Sequence, residues 1–131
     1  MGREHWNLEP NNRINGIEFG RDHALIIKEL GEPIRSFQEY ESKGIIDVYP
    51  SVHVYYSEDD KLEAVELFGN NTSLSIDSIP VFPGKLSDAR RILPDLKECY
   101  GSFVSKTNSV GIGADGDTIV SILAGCRNYY K

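Results

Sequence analysis

The sequence predicts an α+β domain of two pseudo-repeats, which form one mostly antiparallel sheet with two main helices packed on one face. The stretches SVHVYYSEDDKLEAVELFG (51–69) and SVGIGADGDTIVSILAG (109–125) both begin with Ser-Val and alternate in hydrophobicity. Both then break at an Asp-rich turn and end at glycine. Each stretch follows a helical pattern that ends in glycine, so the two halves have the same order of elements.

The chain has 131 residues, which is the size of one ordinary domain, and we predict a single domain over residues 1–131. The first pseudo-repeat covers about 16–69 and the second about 74–125. No apolar run approaches the ~18 residues of a membrane-spanning helix, and the N-terminus lacks the apolar core of a signal peptide. We therefore expect a cytoplasmic protein with no membrane partner.

In the first half, residues 1–15 are expected to form an irregular lead-in. Asp22 is placed to cap a helix over 22–30, and Gly31 followed by Pro33 is placed to end it. Residues 34–46 fit either a helical stripe or a strand and a loop. In the stretch LEAVELF (62–68) the apolar side chains change face, which a β-bulge after the acidic turn would reconcile.

In the second half, a strand over 74–82 precedes a helix that Ser87 is placed to cap. The helix is expected to cover 87–100 because apolar residues recur there at helical spacing, although Pro94 requires a kink or a restart. The predicted core is Phe19, Ile27, Leu30, Val52, Val54, Val65, Leu67, Ile92, Leu96, Ile112, Ile122 and Leu123.

Charge is distributed unevenly between the two halves. Residues 1–69 contain 7 Lys and Arg against 14 Asp and Glu, whereas residues 70–131 contain 7 against 6. An acidic half argues against nucleic acid as a partner, because phosphate binding needs Lys and Arg. It is compatible with a basic protein partner, and also with a purely solubilising role.

The chain contains no motif that predicts a catalytic residue, a bound cofactor or a metal site. Gly111, Gly113 and Gly116 make a G-x-G-x-x-G pattern, but a hairpin at Asp115-Gly116 explains it better than a nucleotide site, which needs a following helix. The three histidines lack metal-ligand spacing. Cys99 and Cys126 are expected to be small buried thiols.

The acidic hairpin is the predicted partner-binding site. Tyrosines supply rigid contact area, and carboxylates attract a basic partner before contact. The alternative is a solvated turn whose charge discourages aggregation. The predicted partner-binding residues are Tyr55, Tyr56, Glu58, Asp59, Asp60, Glu63 and Glu66.

The residues Phe19-Gly20 and Leu30-Gly31-Glu32-Pro33 resemble the opening of small bacterial α/β modules. Examples are the outer-membrane assembly lipoprotein BamE and the repeats of the β-lactamase inhibitor protein BLIP. The BLIP resemblance implies a duplicated helix-plus-sheet unit that binds another protein with its sheet. The chain has neither a lipid-attachment cysteine nor a cysteine pair within a repeat, so their location is not carried over.

The small, acidic profile also resembles bacterial immunity proteins, which neutralise a toxin, often a basic nuclease, by blocking its active site. The leading hypothesis is therefore an immunity protein whose partner is a basic toxin domain. Two alternatives remain open: a sensor or binding module for a small ligand set between the repeats, and a small enzyme.

Overall fold

The computed structural model describes residues 4–41 and 43–130. Residues 1–3, 42 and 131 of the predicted domain lie outside these ranges. The fold is mostly sheet (52%) with two helices, and the strand pairing is mostly antiparallel, as predicted. In chain order the described elements are β1 (Glu4–Glu9), β2 (Arg13–Ile14), β3 (Ile17–Glu18), α1 (His23–Leu30), β4 (Arg35–Gln38), β5 (Ile45–Tyr49), β6 (Val52–Tyr56), β7 (Leu62–Phe68), β8 (Thr72–Ile76), β9 (Ile79–Phe82), α2 (Leu86–Ile92), β10 (Lys97–Cys99), β11 (Ser102–Ser105), β12 (Val110–Asp115) and β13 (Thr118–Gly125).

The strands form two sheets, where the sequence predicts one. The larger sheet has eight strands in the order β10-β11-β12-β13-β7-β6-β5-β4. The smaller has five strands in the order β3-β2-β1-β8-β9. The second sheet was missed because β1, predicted to be irregular, is its central strand and pairs in parallel with β8. Trp6 and Leu8 of β1 alternate with polar residues and are both buried.

The hydrophobic core includes residues of both sheets and both helices. Seven of the twelve predicted core residues are buried: Val52, Val54, Val65, Leu67, Leu96, Ile112 and Ile122. Phe19, Leu30 and Ile92 are partly buried and pack against this core. Two predictions are wrong. Ile26, rather than Ile27, is the buried residue of α1, and Leu123 lies on the opposite face of its strand from Ile122.

Helix α1 agrees with its predicted extent, although Asp22 at its N-cap makes no side-chain capping hydrogen bond. Helix α2 is much shorter than predicted. Gly31 ends α1 with a positive φ of 86°, and its N–H donates to the carbonyl of Ile27. Helix α2 ends at Ile92, and the chain then forms β10. Pro94 is the physical reason, because proline has no N–H and disfavours helical backbone at the residue before it. Cys99 is consequently exposed on a strand, contrary to the prediction of a buried thiol.

The predicted hairpins are both present. Strands β6 and β7 pair with a register shift between Tyr55 and Tyr56, which confirms the predicted bulge. Strands β12 and β13 pair across a turn in which Gly116 has a positive φ of 63°. A strand, not a helix, follows the glycine pattern, so its context is not that of a dinucleotide-binding loop.

The first turn of α2 is capped from the distant β12–β13 turn rather than by the side chain of Ser87. The Asp117 carboxylate accepts hydrogen bonds of 2.8 Å from both the N–H and the hydroxyl of Ser87. These two bonds hold the pKa of Asp117 below its usual range. A carboxylate at this position satisfies a helix N–H that has no partner within the helix.

Replacing Asp117 with alanine is expected to lower the melting temperature at pH 7. Because the pKa of Asp117 is lower in the folded state, its carboxylate stabilises the fold at pH values above its unfolded-state pKa of about 3.9. This stabilisation is lost as the pH falls through the folded-state pKa. The difference in melting temperature between wild type and variant should therefore shrink below pH 4 and vanish at lower pH. Asp115→Ala, in the same exposed turn, is the control for thermal unfolding measured from pH 2 to 7. A deficit that is independent of pH would contradict the capping role.

Candidate functional site

The β6–β7 turn presents three exposed carboxylates on an ordered loop. Glu58, Asp59 and Asp60 are all exposed. The turn is closed by main-chain hydrogen bonds of 2.8 Å from Ser57 N–H to the Lys61 carbonyl and from Asp60 N–H to the Ser57 carbonyl. Asp60 has a positive φ of 64°, a conformation that aspartate tolerates better than most residues. The three carboxylates are therefore carried by a turn whose backbone is hydrogen-bonded.

The start of α1 fastens this turn to the rest of the molecule. The N–H of His23 donates to the Asp60 carbonyl at 3.0 Å, and the N–H of Leu62 donates to the Arg21 carbonyl at 2.8 Å. Asp22 forms an ion pair with Lys61. Hydrogen bonding to Asp22 raises the pKa of Lys61, so this cation stays charged. The first residue of α1 and the two residues before it thus hold the end of the turn in place.

His23 also links the turn to a buried carboxylate. Its Nδ1 lies 2.9 Å from Asp60 Oδ1, and its Nε2 lies 2.6 Å from Asp47 Oδ2. Asp47 is fully buried, and its other oxygen accepts a hydrogen bond of 2.5 Å from the Ser36 hydroxyl. A buried carboxylate requires such partners, because leaving it unpaired costs several kcal/mol.

The order of these side chains differs from that of a hydrolytic triad. In a triad the histidine lies between the hydroxyl and the carboxylate, so that it can take the hydroxyl proton. Here Asp47 lies between Ser36 and His23. Ser36 therefore donates to a carboxylate and has no histidine base, so this geometry positions the turn and does not activate a nucleophile.

An open cavity of about 390 Å³ adjoins the acidic turn. It is lined by residues of β4, β5 and the turn, among them Phe37, Lys43, Ile45, Glu58 and Asp60. Strand β4 is the last strand of the eight-stranded sheet, and all four of its residues are exposed. We call β4, this cavity, Glu58, Asp59 and Asp60 together the acidic edge.

A second surface, the tyrosine face, lies on the side of the eight-stranded sheet away from the core. Tyr55 donates a hydrogen bond of 2.8 Å to Glu66 Oε1, and the His53 ring packs edge-on against Phe68 at 4.8 Å between centroids. The tyrosine face consists of His53, Tyr55, Glu63, Glu66, Phe68, Tyr129 and Tyr130.

The C-terminal tyrosines lie across strand positions that have no side chain. A Cβ at Gly125 would lie 2.5 Å from Cγ of Tyr129, and one at Gly111 would clash with the Tyr130 hydroxyl. Burial raises the pKa of Tyr129, and burial followed by the charge of Glu66 raises that of Tyr130 to about 12. Both phenols are therefore neutral at physiological pH.

The structure divides the seven predicted partner-binding residues among three places. Glu58, Asp59 and Asp60 belong to the acidic edge. Tyr55, Glu63 and Glu66 belong to the tyrosine face. Tyr56 is only 2% exposed and points into the core, where its ring stacks on His23 at 3.8 Å, so it is not available to a partner. Tyr56 follows Val52 and Val54 on the core face of β6, and the regular alternation of that strand sets this orientation.

The sequence pattern does not predict that several residues belong to these two surfaces. Phe37 of the acidic edge falls in the stretch 34–46, whose pattern fits two structures. Tyr129 and Tyr130 of the tyrosine face follow the last strand, where no periodicity remains to place them. The alternation of Gly111 and Gly113 does indicate that another part of the chain can lie close against one face of β12, because these positions have no side chain.

Comparison with protein families, curated proteins and solved structures finds no match to this chain. Among residues 4–41 and 43–130, no group of three or more His, Cys, Asp or Glu side chains could hold a metal ion. Neither α1 nor α2, the helices of those ranges, is long and apolar enough to cross a membrane.

Proposed function

We propose that this protein binds and blocks another protein through the acidic edge, and that it is an immunity protein for a bacterial toxin with a basic domain. The observation that carries the proposal is the anchored turn with its three exposed carboxylates beside an open cavity. Within the described ranges, Glu58 and Asp59 have no ion-pair partner within 4 Å. Unpaired carboxylates on an ordered loop attract a basic surface without first breaking internal contacts.

Two further features support a binding role over catalysis. The Ser36–Asp47–His23 chain lacks the order needed for nucleophile activation. Two aromatic side chains on or just after β4 are exposed: Phe37, which lines the cavity and is 46% exposed, and Tyr40, which is 96% exposed. Exposed aromatic residues next to charge are typical of protein interfaces. A cytoplasmic location, where such a protein would protect its own cell, is part of the proposal.

The two halves of the larger sheet support the further proposal that they are pseudo-repeats. The strands β4 to β7 and β13 to β10 are arranged symmetrically about the central β7–β13 pair. Ser51 and Ser109 both have positive φ, 61° and 56°, and each accepts a main-chain hydrogen bond from the end of the following hairpin. Packing of both helices on one face of this sheet belongs to the same proposal.

The proposal is tested by affinity capture followed by a neutralisation assay. Wild-type protein is expected to capture a protein with a basic domain, and equimolar addition should suppress that protein's toxicity to bacterial cells. The matched control bait is Glu29→Lys/Glu98→Lys/Asp115→Lys, which reverses three exposed carboxylates outside the acidic edge. A captured protein whose toxicity is unchanged by a stoichiometric amount of this protein would contradict an immunity role.

The cavity favours one alternative, binding of a small ligand. Its volume lies within the range of ligand sites, and Lys43 lines it together with Glu58 and Asp60. Native mass spectrometry of the purified protein distinguishes the two functions. A stoichiometric small molecule that is lost on Phe37→Asp, with no protein captured, would replace the proposed function by this one.

A further inference from the structure

Strand β4 exposes a sheet edge that can accept another strand. It pairs antiparallel with β5 from Arg35 opposite Val48 to Gln38 opposite Ile45, and none of the described strands lies on its other side. The N–H of Glu39 donates to the carbonyl of Gly44. In an antiparallel pair the bonded positions alternate, so the main-chain groups of Ser36 and Gln38 point away from β5, toward the edge.

The β4 edge lacks most of the features that protect sheet edges from pairing. It contains no proline, its register with β5 has no bulge, and Arg35 is its single charged residue. The opposite edge of the same sheet, β10, has three residues, of which Lys97 and Glu98 are charged. Short, charged strands resist strand addition, whereas a regular, mostly uncharged edge permits it. The two edges of this sheet therefore differ in their capacity to bind a strand.

Three carboxylates lie at or beside the β4 edge and favour a basic strand. Glu58 and Asp60 line the adjoining cavity together with Phe37 and one cation, Lys43. Glu39 follows β4 directly and is exposed. A strand laid along β4 would place its alternate side chains on the two faces of the sheet. Basic side chains would then meet carboxylates, and an apolar one could enter the cavity.

We infer that the partner binds by adding an extended basic segment, with one apolar side chain for the cavity, to the edge of β4. This inference rests on the proposed function and specifies how the acidic edge is used. Main-chain hydrogen bonds from Ser36 and Gln38 would give affinity, and the cavity and carboxylates would give specificity. A second copy of this chain is the competing occupant, which the test below distinguishes.

The test compares Gln38→Pro with Gln38→Ala, using the partner isolated by capture. Proline removes the outward N–H and is tolerated at an edge position, while alanine keeps the N–H and removes the same side chain. Gln38→Pro is expected to weaken binding about tenfold or more, which is the scale of a lost main-chain hydrogen bond and a blocked strand contact, and Gln38→Ala much less. Circular dichroism and the melting temperature verify that both variants fold.

Hydrogen exchange gives a second measurement that does not depend on a variant. The amides of Ser36 and Gln38 are expected to become protected when the partner binds to the wild-type protein. Equal binding by the two Gln38 variants, or unprotected amides in the complex, would overturn strand addition while leaving the proposed function intact. Self-association of the free protein that Gln38→Pro abolishes would assign the edge to a second copy instead. If no protein binds, both this inference and the proposed function are wrong.

Discussion

Ile122→Ala is expected to lower the free energy of unfolding by about 3–4 kcal/mol, because it removes a branched side chain from the centre of the core. Ile122 is 1% exposed and lies on β13 at the middle of the larger sheet. Its neighbours across the sheet are Ile112 and Leu67, which are equally buried. The surrounding strands are hydrogen-bonded on both sides and cannot close the cavity, so the cost exceeds that of lost transfer energy alone.

Val120→Ala is the matched control for this measurement. Val120 lies on the same strand and is 48% exposed. Its truncation is expected to cost well under 1 kcal/mol, since an exposed side chain leaves no cavity. Both values are obtained from urea unfolding at one pH, with the m-value verifying that unfolding remains two-state. A loss below about 1 kcal/mol for Ile122→Ala would mean that the core is misassigned.

Reversing Glu58 and Asp59 to lysine is expected to slow association with the captured partner about tenfold or more at low salt. Asp60 is left unchanged because its carboxylate lies 2.9 Å from His23 Nδ1 and helps to order the turn. These carboxylates lie on an exposed turn, where they act on the partner before contact. Exposed rim charges change the rate of association more than the rate of dissociation. The wild-type association rate should itself fall as salt rises, because the screening length is about 10 Å at 0.1 M.

The control variant is Glu29→Lys/Glu98→Lys, which changes net charge by the same amount. If the whole charge of the protein attracted the partner, the two variants would slow association equally. If the acidic edge does so, the control keeps most of the wild-type rate. Surface plasmon resonance from about 20 to 500 mM salt gives both rate constants. A wild-type association rate independent of salt would contradict electrostatic attraction by this turn.

Features that depend on neighbouring residues can be predicted from the amino-acid sequence. Gly31 ends α1 because glycine tolerates a positive φ, and the alternation in β6 is typical of a strand with one core face. The change of face in LEAVELF predicted the bulge that the hairpin contains. Pro94 is incompatible with a continuous helix, although the apolar stripe continues past it to Tyr100. The backbone restriction at Pro94 prevails, and α2 ends at Ile92.

Contacts between distant segments of the chain are seen only in the folded structure. Strand β1 finds its partner in β8, with Glu4 opposite Thr72, and Asp117 caps a helix that begins 31 residues earlier, at Leu86. His23 joins Asp60 to Asp47, and this contact orders the acidic turn. The turn's composition was visible in the sequence, but its anchoring and the adjoining cavity were not. Local periodicity determines which face of a strand is apolar, whereas pairing between distant strands depends on packing of the whole chain, which no short window of sequence contains.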